Sequence, residues 1–432
     1  METLTHVFRG LLGIAAFLGI AYACSANRRA IDWKLVISGI LLQLVIGLLV
    51  IYVDGVRIAI DWVGTGIVAL LDFNRAGTEF LFGSLVTDQK TFGYLFAFNI
   101  LPTIIFFSAF TSLLFYFGIL QRVVLCFAWV MSKTMKLSGA ESLSASANIF
   151  VGQTEAPLII RPYLPTMTRS ELLAIMVGGM ATIAGGVMAA YIGLLGGDDP
   201  AQRVLFAKHL LTASVMSAPA ALLTAKMLLP QTEEVNRNLS VSREKIGANV
   251  LEAIANGTAD GLKLAVNVGA MLLVFTAMIK LSNALLSLSV GGWTGLDGWI
   301  AASTAGRYTS LSLEYIFGLL FAPLAWLMGV DSHSLTAAGQ VIGEKTILNE
   351  FYAYTTLAKM KTSGVLPNIR DQVILTYALC GFSNIASIGI QVGGIGALAP
   401  EKRSELAQLG WRALLGGSIA CFLTACVAAM LT

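Results

Sequence analysis

Residues 141–165 read ESLSASANIFVGQTEAPLIIRPYLP, polar at both ends and apolar between, with Gly152, Gln153, Thr154, Glu155 and Pro157 breaking the apolar middle. A helix that spans a bilayer needs about 20 predominantly apolar residues in a row, and this stretch never supplies them. It suits two short helices joined by a tip that turns back at membrane depth. Non-helical backbone at that depth is tolerated only where protein or a water-filled cavity surrounds it, because an unsatisfied peptide group in hydrocarbon is costly. The tip is therefore predicted to line a cavity. Residues 335–360, LTAAGQVIGEKTILNEFYAYTTLAKM, have the same form, with Asn349 and Glu350 at the break.

Each stretch is followed by an apolar segment interrupted by small and polar residues. After the first comes Ala181-Thr182-Ile183-Ala184-Gly185-Gly186-Val187, and after the second Phe382-Ser383-Asn384-Ile385-Ala386-Ser387-Ile388-Gly389. A hairpin carrying a glutamate and then a broken helix, in that order twice, is the sequence sign of a transporter built from inverted repeats with its site at the midplane.

The rest of the chain supplies the membrane context. It is 56% hydrophobic and 12% charged over 432 residues, with a mean hydropathy of +0.77, whereas a soluble domain carries about 25% charged residues. Runs near 7–25, 34–53, 93–119, 171–196, 205–228, 261–288, 373–399 and 407–431 are apolar enough to span, which predicts eight transmembrane helices. The shorter runs 58–71, with Asp61 and Asp72 at its ends, and 120–131, flanked by Arg122 and Lys133, read as interfacial. The fold class is thus an all-α polytopic membrane protein: eight transmembrane helices, two re-entrant helical hairpins in inverted repeats, and interfacial helices.

The first run, Val7 to Cys24, has no basic region before it and no small-residue cleavage site after it, so it reads as a retained span. Arg28 and Arg29 then place its C-terminal end in the cytoplasm. The polar segment 229–249, with Arg237, Arg243, Glu244 and Lys245, joins the two halves on the same side. We divide the chain into 1–140 (scaffold and an interfacial helix), 141–228 (first repeat), 229–334 (connecting loop, a transmembrane helix and an interfacial helix), 335–399 (second repeat) and 400–432 (last span). These are joints within one membrane unit.

A net charge of +3, dispersed in short clusters, gives no nucleic-acid footprint. The five cysteines have no CxxC spacing and are expected as buried free thiols; His6, His209 and His333 form no ligand pair. Glu155 and Glu350 are different in kind. A carboxylate at mid-membrane is costly and as a rule faces a cavity or a partner. Either alone could merely pair with a basic residue, but two in matching hairpins point to function. Around them stand neutral hydrogen-bonding groups, Gln153, Thr154, Asn349, Asn384 and Ser387, able to hold sugar hydroxyls and the ring edge of a base. Thr182, Ser387 and the neighbouring glycines read equally as close-packing positions.

At these residues the chain resembles the concentrative nucleoside transporters. The likeness lies in Gly152-Gln153-Thr154-Glu155-Ala156-Pro157-Leu158, in Asn267-Val268-Gly269-Ala270-Met271-Leu272, in Asn349-Glu350-Phe351-Tyr352-Ala353-Tyr354 and in Cys380 to Ile388, in order along nearly the whole chain. The resemblance implies a homotrimer in the bacterial inner membrane that imports nucleosides such as uridine, cytidine or adenosine, with Na+ as coupling ion and no organic cofactor. It implies that Gln153, Thr154 and Glu155 face the nucleobase with Val187 and Leu264 packed against it. Glu350, Asn384 and Ser387 would hold the ribose near Phe382. Its sodium site matches Asn148, Val151, Thr182 and Ile183, with Thr182 standing where sodium-coupled members carry serine. Proton coupling on the same scaffold remains the alternative reading. An intramembrane hydrolase would need a nucleophile or metal beside the two glutamates, and a passive channel would have no use for a moving repeat.

Overall fold

The computed structural model describes residues 2–92, 95–236 and 247–432, so Arg237, Arg243, Glu244 and Lys245 of the expected connecting loop lie outside the described residues. Among the described residues every regular element is helical. α1 (Glu2–Ala23) and α2 (Trp33–Tyr52) are apolar spans. Arg28 donates to the carbonyls of Tyr22 and Ala23 at 3.2 and 2.6 Å, placing a cation over the last carbonyls of α1. α3 (Asp54–Phe82) is 29 residues long, well beyond the expected 58–71. Its buried positions, Gly64, Val68, Leu71, Asn74 and Thr78, recur every three or four residues, so one face is covered. α4 (Leu101–Tyr116) is the third span, and α5 (Ile119–Met135) buries Leu120, Val124, Ala128, Met131 and Met135 while leaving Arg122, Trp129 and Lys133 exposed. That one-sided pattern agrees with the interfacial reading of 120–131.

The first interrupted stretch becomes α6 (Gly139–Ala147) and α7 (Ala156–Ile159), packed against each other and continued by a 3-10 stretch at Arg161–Thr166. The following segment is α8 (Arg169–Ala181) and α9 (Gly185–Gly196), separated at Thr182–Ala184. Then come α10 (Pro200–Leu228) and α11 (Val250–Leu286). A 15-residue apolar helix that the span count passed over, α12 (Leu313–Leu327), lies against the next hairpin. Between α11 and α12, Asp297 accepts from the Ser287 hydroxyl at 2.6 Å and the Leu311 amide at 2.7 Å; these two donors hold its carboxyl below the usual carboxylate range. The second hairpin is α13 (Leu335–Ile347) and α14 (Glu350–Thr362). The expected span 373–399 is two helices, α15 (Ile369–Leu379) and α16 (Ile385–Leu398), stopped at Cys380–Asn384, and α17 (Arg403–Leu431) ends the chain. Seven helical stretches among the described residues are long and apolar enough to cross a membrane, and the eighth expected span is this broken pair.

Helix starts are specified locally. Ser138 and Glu141 form a capping box on α6, Thr168 and Glu171 another on α8, so that orphan amides are satisfied in reciprocal pairs. Asn349 caps α14 and Asn384 caps α16, each accepting from the amide three residues on.

Burial separates an inner group from an outer one. The apolar windows of α8–α9, α10 and α17 are 83%, 89% and 83% buried, against 28% for α1 and for α2, 22% for α4 and 11% for α11. The inner helices therefore form the core and the outer ones present their sides to lipid or to other chains. α11 and α4 pack closely through Gly257 and Gly261. A Cβ at Gly257 would lie 2.6 Å from Ser112 Cβ, and one at Gly261 2.8 Å from Ile105 Cα, so only glycine permits the approach. At one end of the first repeat, Lys226 of α10 pairs with Glu141 of α6, both buried, and also donates to Ser170 at 3.0 Å and to the half-buried Gln231 at 3.1 Å. All five cysteines are free as expected, but Cys24 and Cys126 are exposed; only Cys380, Cys421 and Cys426 are buried.

Candidate binding site

The two helix breaks meet. Thr182, the C-cap of α8, has extended backbone, and its carbonyl accepts from the Phe382 amide at 3.3 Å, so the interruption in each repeat satisfies part of the other. From the second break Asn384 points two ways. Its oxygen accepts from the Ser387 amide at 2.9 Å as the cap of α16, which leaves only its NH2 to donate, and that group donates to Glu350 Oε2 at 2.9 Å. Glu350 Oε1 accepts from the Tyr191 hydroxyl at 3.1 Å. The Ser387 hydroxyl accepts from Gln153 Nε2 at 3.2 Å, and Gln153 Oε1 accepts from Gln391 at 3.0 Å. Gln153, Ser387, Asn384 and Glu350 thus belong to one buried cluster drawn from both hairpins and the second break.

Glu155 takes a different position. It accepts from the Gly152 amide within its own tip and opens into a cavity of about 470 Å³, within the range of small-molecule sites, about 300–1,000 Å³. Val151, Val187 and Leu264 line the same cavity, together with Asn256 and Asp260 of α11 and Ser108 of α4. Thr154 sits beside Gly394 of α16, and Phe382 is half-buried against the core; neither lines that cavity. Apart from Thr154 and Phe382, the substrate side chains read from the sequence therefore fall into a polar cluster and a cavity wall, joined through the tip at residues 152–155.

The residues matched to a cation lie just behind that tip. Asn148 is buried and neither its Oδ1 nor its Nδ2 has a hydrogen-bond partner, an arrangement that is costly unless something else binds there. Thr182 is also buried; its hydroxyl donates to the Gly178 carbonyl at 2.9 Å, which leaves its oxygen lone pairs free. Val151 and Ile183 are buried and lie in non-helical backbone, where carbonyls are not committed to a helix ladder. Neutral oxygen donors of this kind fit a hard monovalent cation.

Sequence reasoning missed Tyr191, Gln391 and Asp260. A glutamine in the otherwise apolar IASIGIQVGGIGAL of α16 and an aspartate within α11 were signals of the intramembrane polar kind. Tyr191 gave none, since a tyrosine in an apolar run reads as core.

Two interrupted repeats enclosing a polar cluster and a cavity define a membrane transporter. Known proteins narrow the class. Profiles of the Na+ dependent nucleoside transporter N-terminus and C-terminus match residues 12–85 and 209–429, and one for nucleoside recognition, Gate, matches 97–198. An uncharacterised transporter of Haemophilus influenzae is 41% identical over 428 residues, covering 98% of this chain and 97% of its own length. Rat sodium/nucleoside cotransporter 1 is 40% identical over 436 residues, and this chain spans only 63% of that longer protein. A solved structure of CNTnw in an inward-facing substrate-bound state superposes with a TM-score of 0.88 at 37% identity, covering 99% of this chain and 98% of that one. The chain belongs to the Na+-dependent, or concentrative, nucleoside transporter family. It is a multi-pass bacterial inner-membrane protein and a transporter rather than an enzyme.

Proposed function

We propose that this chain imports nucleosides in symport with Na+, by alternating access of the hairpin-bearing repeats (141–228 and 335–399) against the outer helices. One observation carries the reading: the first hairpin bears both the unpartnered buried Asn148, behind its tip, and Gln153 and Glu155, in front of it. Binding of a cation behind the tip fixes the backbone that presents the substrate-reading side chains. Each ligand then raises the affinity of the other by the same factor, which is the thermodynamic requirement of symport.

In this reading Na+ is held by side-chain oxygens of Asn148 and Thr182 and by carbonyls of Val151 and Ile183. Glu350, Asn384 and Ser387 receive the ribose beside Phe382. Gln153, Thr154 and Glu155 read the base edge, with Val187 and Leu264 giving apolar contact. The long α11, whose exposed side carries Leu262, Val266, Leu273, Val274 and Leu281, suits burial between copies of the chain, and the proposed assembly is a homotrimer surrounded by lipid.

Purified protein in proteoliposomes, given labelled uridine, cytidine or adenosine, provides the test. Concentrative uptake should follow an imposed Na+ gradient. Uptake that follows only a proton gradient overturns the sodium assignment, and no uptake under either gradient overturns nucleoside import.

A further inference from the structure

Two of the substrate-reading side chains, Glu350 and Gln153, are each gripped by the opposite repeat, from the same place in its helix. Tyr191 is the seventh residue of α9 and Gln391 the seventh residue of α16, the second halves of the two broken helices. Tyr191, in the first repeat, donates to Glu350 Oε1 in the second at 3.1 Å. Gln391, in the second repeat, donates to Gln153 Oε1 in the first at 3.0 Å, and to the Met176 carbonyl at 3.0 Å. Both are essentially fully buried, and neither lines the cavity that Glu155 faces.

We infer that Tyr191 and Gln391 are reciprocal positioning residues, each locking the orientation of a recognition side chain carried by the other repeat. The inference rests on the nucleoside-binding reading above. The Tyr191 ring is fixed independently of its hydroxyl: it stacks on Tyr354 with centroids 4.1 Å apart and meets Phe351 edge-on at 4.8 Å. Its hydroxyl is thus a rigid donor. With Asn384 holding Oε2, both oxygens of Glu350 are oriented, and their remaining lone pairs face in set directions, available to sugar hydroxyls. Without the hydroxyl the carboxyl can turn. Gln153 is held at both ends, its oxygen by Gln391 and its nitrogen by Ser387, so Gln391 decides which face of that amide a base meets. Because each grip crosses between repeats, it also requires both repeats to be in register before either half of the ligand is read.

Calorimetry on purified protein tests this with Tyr191→Phe and Gln391→Leu. Tyr191→Phe keeps the ring stack and should weaken ribonucleoside binding about tenfold, while 2′,3′-dideoxynucleosides are held as before. In a Glu350→Gln background it should add little, since its partner has changed. Gln391→Leu should alter the ranking of cytidine against uridine several-fold and leave the sugar-hydroxyl discrimination intact. Equal losses on ribo- and dideoxy ligands in both variants, with Glu350→Gln weakening ribonucleosides alone, would mean general loosening and overturn the positioning roles alone. Equal weakening of ribo- and dideoxynucleosides by Glu350→Gln itself overturns the ribose reading underneath, and the inference with it. Should Tyr191→Phe not fold, Gln391→Leu tests the same arrangement from the other repeat.

Discussion

Replacing Glu350 by glutamine is the sharpest probe of the proposed site, because the surroundings dictate how the new amide must sit. The Asn384 oxygen is committed to capping α16, so its NH2 can only donate, and the new amide must turn its oxygen toward it. The amide NH2 then faces Tyr191, whose hydroxyl can rotate to accept. The fold should therefore tolerate the change, losing about 1 kcal/mol of hydrogen-bond strength. Substrate binding should suffer more. A hydrogen bond to a charged group contributes roughly 1.5–3 kcal/mol, and the ribose hydroxyls would lose a carboxylate acceptor. At about 1.4 kcal/mol per tenfold, ribonucleoside affinity should fall by one to two powers of ten. Dideoxynucleosides, with no hydroxyls to donate, should bind almost unchanged. Calorimetry on purified, folded protein separates this loss from a stalled transport cycle. Equal weakening of both ligand classes would refute the ribose assignment and return Glu350 to a role in cation binding or conformational change.

Further outcomes follow from other parts of the molecule. Thr182→Val keeps the shape but removes an oxygen from the proposed cation set, so the Na+ concentration for half-maximal uptake should rise; unchanged sodium dependence sinks that ligand assignment. Lys226→Met strands Glu141 in a buried cluster and should lower stability by about 3–5 kcal/mol, seen as a lower melting temperature in detergent, whereas adding Glu141→Gln should restore much of it. Ala30→Cys in a cysteine-free background should resist a membrane-impermeant thiol reagent applied from the periplasm, because the positive-inside rule assigns the turn carrying Arg28 and Arg29 to the cytoplasm; ready labelling would invert the topology. Glu155→Gln should reorder preferences among bases while sensitivity to missing sugar hydroxyls stays nearly intact, as competition binding would reveal.

The interruptions were legible in the sequence because polar and small residues inside an apolar run are costly in a membrane unless they end a helix or line a cavity. Gly152 to Pro157, Asn349-Glu350 and Cys380 to Asn384 all fall where helices stop. How the pieces meet was not legible. Gln153 and Glu155 stand two residues apart and read as one triplet, yet one side chain turns into the cluster with Ser387 and the other into the cavity with Asp260. That divergence is set by the tip's irregular backbone, which no periodicity encodes. Helix α12 was passed over because its apolar run is short and contains Pro323, although it covers the second hairpin. The partners of Glu350 were half legible: Asn384 lies in a motif, but Tyr191 is 159 positions away, and only the tertiary fold brings it there.

The proposed coupling has a short physical path. The Thr182 carbonyl accepts the Phe382 amide at 3.3 Å, so the backbone offered to a cation at 182–183 is one hydrogen bond from the turn that ends in Asn384. Asn384 in turn fixes both the start of α16 and one oxygen of Glu350. A cation that straightens or tilts the first break must therefore shift the second, because neither break has a helix ladder to absorb the displacement. Tight packing around the breaks, where Cys421 donates to the carbonyls of Ala181 at 3.7 Å and of Cys380 at 3.4 Å, leaves little slack for the movement to be lost. The energetic cost of ordering two irregular segments is then shared by cation and nucleoside, and whichever binds first reduces what the second must supply.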